Sequence, residues 1–177
     1  MSTWDRLVYR LRQFGAELNA RPLPDAALGE VRELLSPAEY ALFQRFSLSD
    51  QNHSYAVMTT LRGAGHDDRE LLQAALLHDI GKTRLPIHIW DRVVIVMGQA
   101  LAPAQVGRWG EGEPAGWRRP FVIKEKHPAW GAEMAAAAGS SARLIALINH
   151  HQDRPETVTP AELAATLRQL QWADDQH

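Results

Sequence analysis

The 177-residue chain contains no cysteine. That absence excludes disulfides, thiolate zinc sites, iron–sulfur clusters and cysteine nucleophiles. Any metal must therefore be held by nitrogen and oxygen donors, which suit iron, manganese, zinc, cobalt or magnesium. An excess of charge is also missing: 19 Lys and Arg stand against 21 Asp and Glu, a formal net charge of −2. No basic face advertises a nucleic-acid partner, and the short Trp117-Arg118-Arg119 cluster does not supply one. Long apolar runs are lacking as well. The longest, Val93 to Met97, falls far short of the roughly 20 residues a membrane-spanning helix needs. The opening Met1 to Arg6 lacks the charged-then-apolar layout of a secretory leader. The expectation is a soluble, cytoplasmic protein with no membrane partner.

The residues that are present read as helices. From Trp4 to Leu18, apolar residues recur at spacings of three and four behind Ser2 and Thr3. Pro24-Asp25 opens a second helix ending near Leu35. Ser36-Pro37-Ala38-Glu39 combines a capping box with proline at the first helical position, so a third helix is predicted from Pro37 to Phe46. Ser49-Asp50 starts a fourth, running toward Gly63, and Asp67-Asp68 caps a fifth that runs to His78. Ile87 to Leu101 reads as a helix, although the β-branched run Val93-Val94-Ile95-Val96 leaves a strand open. Gly107 to Gly116, with four glycines and Pro114, is predicted to be a loop. Pro128 is expected to begin a helix to Gly139, Ser140-Ser141 to cap one ending at His150-His151, and Thr159-Pro160-Ala161-Glu162 to open the last, to about Asp174. With no strand pair, repeat array or low-complexity linker, the chain reads as all-α and one domain.

Histidines and aspartates stand at the ends of these apolar helices. His78 lies on the face of Leu71, Ala74 and Ala75, and Asp79 on that of Leu72, Ala75 and Leu76. A buried carboxylate is costly unless it is paired or bound to a metal, although two such residues are also compatible with a frayed, self-capping helix end. Asp174 extends the stripe Leu163, Leu167, Leu170, whereas Asp175 falls beside Arg168, Gln171 and Trp172. Asp174 is thus the inward carboxylate. His53, one turn before Val57, can face the core either as a ligand or as a hydrogen-bonded core histidine. His150 and His151 sit about 100° apart on their helix, so one can meet a metal while the other meets substrate or a second metal. His127, before Pro128, is expected at a helix start.

Taken in order, Gln51-Asn52-His53-Ser54, Leu77-His78-Asp79-Ile80-Gly81-Lys82, His127-Pro128-Ala129-Trp130-Gly131-Ala132-Glu133-Met134, Ile148-Asn149-His150-His151 and Ala173-Asp174-Asp175 resemble the HD-domain superfamily of metal-dependent phosphohydrolases. The likeness covers roughly residues 50 to 175. It implies an HD-type helical bundle over 50–177; residues 1–49 are expected to be a helical lead packed on the core of the same structural domain. It also implies one divalent metal held by His53, His78, Asp79 and Asp174. A second metal would lie on bridging Asp79 with His127 and His150, and His151 would be a further ligand or substrate contact. The order of histidines is similar to the HD-GYP and diadenosine tetraphosphate hydrolase branches. Gln152-Asp153-Arg154-Pro155 in place of a Gly-Tyr-Pro triplet argues against a cyclic di-GMP phosphodiesterase.

The expected reaction is hydrolysis of a phosphoester or phosphoanhydride in a small, nucleotide-like substrate. Metal-activated water would attack, Asp79 and Lys82 would act as catalytic residues, and Gly81 would let the backbone come close. Alternatives are a di-iron oxygenase of the same superfamily and a non-catalytic regulatory domain that binds a ligand. His66, His88 and His177 fit no ligand pattern, and Glu125 and Glu133 read as solvent-facing charges. The apolar segment from Thr83 to Lys126, with Trp90, Trp109 and Trp117, would cover the site, meet a partner or simply pack.

Overall fold

A computed structural model describes residues 20–85 and 89–177. The helix predicted over Trp4 to Leu18, and His88, lie outside the described residues. Every regular element among the described residues is helical, and the fold is all-α.

Local sequence explains most boundaries. Helix α1 (Asp25–Leu34) buries Ala27, Val31 and Leu34 at spacings of four and three. Helix α2 (Pro37–Phe43) begins in the predicted capping box: Glu39 N–H donates to Ser36 Oγ at 3.3 Å, and Ser36 N–H donates to Glu39 Oε2 at 2.8 Å. Its other carboxylate oxygen accepts from Ser140 Oγ at 2.7 Å, which ties α2 to a distant loop. Helix α2 stops at Phe43, three residues short of expectation, in a turn where Arg45 N–H reaches Leu42 O and Phe46 N–H reaches Phe43 O. Helix α3 (Leu48–Gly63) is capped by Ser47 rather than started by Ser49, because Ser47 Oγ already accepts from Asp50 N–H at 3.2 Å. Its buried face is Ser54, Val57, Met58 and Leu61.

Helix α4 (Arg69–Leu77) is the central rod, buried from Leu71 through Leu77. Asp68 caps its start, and a 3-10 segment, Ile80–Arg84, follows Asp79 at its end. Helix α5 (Ile89–Leu101) resolves the helix-or-strand ambiguity: the β-branched run is helical, and its exposed apolar residues Val93, Met97 and Leu101 recur every four positions. The predicted loop over 107–116 contains one helical turn, α6 (Val106–Trp109). Trp109, Trp117 and Phe121 form an edge-to-face cluster with centroids 5.1–6.2 Å apart. Gly98 of α5 fits beneath Phe121, where a Cβ would meet the ring at 2.5 Å. These aromatics of the 83–126 segment pack on one another and on α5.

Helix α7 (Arg119–Ala137) corrects another expectation. The helix begins at Arg119, with Pro120 in its first turn, and runs straight through Pro128. Proline is disfavoured inside a helix because it has no N–H for the carbonyl four residues back. Here packing prevails: Phe121, Val122, Ile123, His127, Pro128, Gly131, Ala132 and Ala135 are all buried. Helix α8 (Ala142–His150) is capped by Ser141, which accepts from Leu144 N–H at 3.1 Å. Helix α9 (Ala161–Asp174) has no side-chain cap, contrary to the predicted box. Pro160 occupies the cap position, so Thr159 lies one residue too early to close it.

Helices α3, α4, α8 and α9 pack about one core containing Leu61, Leu76, Leu77, Leu144, Leu147, Leu167 and Leu170, with α1 and α2 laid against α4. The 3-10 segment lies along α7 so closely that a Cβ on Gly81 would stand 1.9 Å from His127 O and 2.6 Å from Gly131 N. The close approach of Gly81 is therefore to α7. It is a packing contact and not an opening for substrate. By this contact, the residues after α4 are registered against those in the middle of α7.

Candidate metal centre

Five helix ends or mid-points converge at one place. His78 is the last-turn cap of α4 and Asp79 follows it; both are buried. His127 comes from the middle of α7 and His151 from the residue after α8, and both are also buried. His53 of α3 and Asp174 of α9 close the more open side, with side chains 29% and 38% exposed.

Each buried imidazole is held in the same way. Nδ1 of His78 donates to Ala75 O (3.0 Å), and that of His151 to Ile148 O (2.7 Å). His127 Nδ1 lies 2.8 Å from Lys124 O and 3.1 Å from Ile123 O. A carbonyl oxygen only accepts, so the proton of each neutral ring sits on Nδ1 and the lone pair on Nε2. The three Nε2 atoms point inward. His78 Nε2 lies 3.5 Å from both Asp79 Oδ2 and Asp174 Oδ1, and has no hydrogen-bond partner. His127 Nε2 lies 3.2 Å from Asp79 Oδ1 and 3.1 Å from His151 Nε2, while His151 Nε2 is 3.6 Å from the same Asp79 oxygen. His53 Nε2 is 3.0 Å from Asp174 Oδ1.

Burial disfavours charge on His78, yet Asp79 and Asp174 outweigh it and hold its pKa up at about 10. Burial would also raise Asp79, but the positive charges of Lys82 and His78 beside it keep its carboxyl well below the usual carboxylate range. Asp174 is likewise held below that range, with burial opposed by His53 and His78. Burial lowers His127, against the pull of Asp79 and with the charge of Lys82 adding to the effect. The pocket thus keeps two carboxylates ionised and favours a positive charge between them, with a neutral His127 presenting its lone pair.

Two sets of donors result, each able to hold a cation: His53, His78 and Asp174, and Asp79, His127 and His151, with all ligand atoms of each set within 4.8 Å of one another. The fit is chemical as well as geometric. Two lone pairs 3.1 Å apart, on His127 and His151, repel unless a proton or a cation stands between them. Metal–nitrogen bonds of about 2.0–2.1 Å place two ligand nitrogens of one ion about 3 Å apart. Ring contacts of 5.3 Å between His78 and His151 bring the two sets side by side.

A scan of family models matches the HD domain over residues 51–177, more than two thirds of the chain. The chain belongs to the HD-domain family. HD domains form a superfamily of metal-dependent hydrolases that also includes oxygenases. No curated protein and no solved structure matches the chain.

Within this HD domain, His150 falls outside both donor sets: its Nδ1 pairs with Asp153 Oδ2 at 2.6 Å near the surface. His151 takes the inward place, and Asp174 rather than Asp175 meets His53 and His78. Lys82 sits at the mouth, its ammonium 2.5 Å from Asp79 Oδ2. Glu133 pairs with Arg84 at 2.5 Å and is exposed, as is Glu125; His177 bonds Thr60 at 2.8 Å. Two glutamines beside the site carry no ligand pattern in the sequence. Gln152 brings its amide nitrogen within 3.4 Å of His127 Nε2. Gln171 donates to His151 O (2.9 Å) and Asp153 O (2.8 Å), clamping the turn after α8 to α9. Neither carries a periodicity signal, because each acts through a turn between helices. Among the described residues, no helix is long and apolar enough to cross a membrane.

Proposed function

We propose that this HD domain hydrolyses a phosphoester or phosphoanhydride of a small, nucleotide-like molecule at a two-cation site. The observation that carries the reading is the set of three buried imidazoles, each locked through Nδ1 with Nε2 turned toward Asp79 or Asp174. His53, His78 and Asp174 would hold one divalent cation, and Asp79, His127 and His151 the other. Asp79 has one oxygen toward His78 and the other toward His127 and His151, which suits a bridging role. Bound divalent cations supply Lewis acidity, lowering the pKa of water and offsetting phosphoryl charge.

The protein's own groups divide the remaining work. Lys82 is half-exposed on a flexible stem, so it can leave Asp79 Oδ2 to neutralise a phosphoryl oxygen. Gln152 presents amide hydrogens at the rim, where a substrate oxygen can accept them. The carbonyls of Ala75, Ile123, Lys124 and Ile148 hold the rings fixed, so little reorganisation accompanies reaction.

Protein loaded with Mn2+ should release phosphate or nucleotide from members of a phosphoester and nucleotide panel, and Asp79→Ala should abolish it. Inertness of the loaded protein across that panel would overturn the reading. An all-nitrogen-and-oxygen donor set also suits iron, so a di-iron oxygenase is the second reading. Turnover that proceeds without oxygen on a redox-inactive metal rules it out.

A further inference from the structure

Pro128 stands in the interior of α7, immediately after His127. An ordinary residue there would donate its N–H to Lys124 O, four residues back. Proline has no N–H, which frees that carbonyl from its usual helical partner. His127 Nδ1 lies 2.8 Å from Lys124 O, closer than the 3.1 Å to Ile123 O. The ring of the preceding residue thus takes the acceptor that the proline leaves.

We infer that Pro128 is a positioning residue that keeps Lys124 O available to His127 Nδ1, and so fixes the His127 Nε2 lone pair toward Asp79 and His151. This accounts for a disfavoured residue in a buried helix. An imidazole in the helix interior needs a local acceptor to settle its tautomer, and every ordinary residue at 128 would compete for this one. Nε2 then lies 3.2 Å from Asp79 Oδ1 and 3.1 Å from His151 Nε2. Pro128 acts through the carbonyl.

The inference rests on the proposed reading of Asp79, His127 and His151 as cation ligands, and its test separates the two. Pro128→Ala restores the N–H. Pro128→Ser adds a hydroxyl that can also bond the carbonyl four residues back. Nitrogen NMR of the metal-free proteins should show His127 as the Nδ1–H tautomer in the parent, and a mixture in Ala and more so in Ser. Zn2+ titration should show the affinity of one ion falling about tenfold in Pro128→Ala, the lower end of the cost of losing a partner behind a ligand. The other ion should hold within about twofold. The melting temperature should stay level or rise, because a helical N–H has been regained. A merely structural proline would give the opposite pattern, with lower melting and both ions weakened together. That pattern, or an unchanged tautomer and unchanged affinity, would overturn the inference. A parent protein that binds no Zn2+ but shows the tautomer shift would instead remove the ligand reading and leave the proline–carbonyl mechanism standing.

Discussion

Helix α4 carries a polar cluster at each end. At its start, Asp68 accepts from Leu71 N–H at 3.0 Å, and Arg143 of α8 reaches Asp68 and Glu70 at 2.9 and 2.8 Å. Glu70 also accepts from Ser141, and Arg143 donates to Thr166 at 3.0 Å. Every group has a partner of opposite character, and the cluster is open to water. At its end, His78 and Asp79 are buried with His127 and His151; Lys82 meets one oxygen of Asp79, while the Nε2 atoms of His127 and His151 converge on each other and on the other oxygen. Both clusters join α4 to α8. The first settles its own charges, as a scaffold contact does. The second crowds acceptor atoms of His127, His151 and Asp79 together, an arrangement that a cation between them would settle, which is the mark of a site. Abundance of charged residues thus says little, and unmet donor or acceptor capacity under burial says much.

Substitutions should separate the two ends. The largest effect is expected at the buried end: Asp79→Ala or His78→Ala should lower phosphate release at least about 10³-fold, several kcal/mol of lost cation stabilisation. Comparable turnover by Asp79→Ala and the parent would erase the contrast. Next comes Gly81→Ala, whose Cβ overlaps the α7 backbone. It should cost about 3 kcal/mol and lower the melting temperature by about 6–12 °C, read by thermal denaturation. A smaller change would mean that the 3-10 segment yields without strain. The neighbouring histidines provide a finer cut: His151→Ala should weaken one ion by at least about tenfold, whereas His150→Ala, which removes only the Asp153 pair, should leave both within about twofold. Equal losses in a metal titration would place His150 in the site.

The smallest effect belongs to the paired end. Arg143→Ala should cost about 1 kcal/mol or less, since the pairs are solvent-screened, and should leave turnover unchanged. Its cost should vanish in acid. The hydrogen bond from Arg143 comes first in holding Asp68 and Glu70 below their ordinary values; burial opposes it, and Leu71 N–H and Ser141 respectively assist. A carboxylate depressed in the folded state contributes stability above its unfolded pKa and loses it as pH falls through the folded one. Urea midpoints of parent and variant should therefore differ at neutral pH, begin to close below about pH 4, and meet once the pH passes the depressed folded values. A gap that persists in acid would show that Arg143 acts by packing.

Much of this was legible in the chain. Helical periodicity separates Asp174 from Asp175, because one extends Leu163, Leu167 and Leu170 and the other does not. The same reasoning turns His78 and Asp79 inward, and the Ser36–Glu39 box is local chemistry that forms as written. Boundaries depart from the sequence pattern where a cap lies one or two residues away, as at Ser47 and Pro160, or where burial outweighs propensity, as at Pro128.

The sequence by itself determined the all-α class, the inward faces of the helices that end in His78, Asp79 and Asp174, and the nitrogen-and-oxygen donor set that the lack of cysteine demands. Only the tertiary structure decided which donors meet: His53 with Asp174, His127 with His151, and His150 left to Asp153. It also decided that Lys124 O, deprived by Pro128 of the N–H four residues on, meets the ring of His127. The physical reason is that periodicity reports the direction a side chain takes from its own helix axis. Distances between side chains on different helices depend on how those axes pack, and contacts such as Gly81 on α7 leave no repeating trace along the chain.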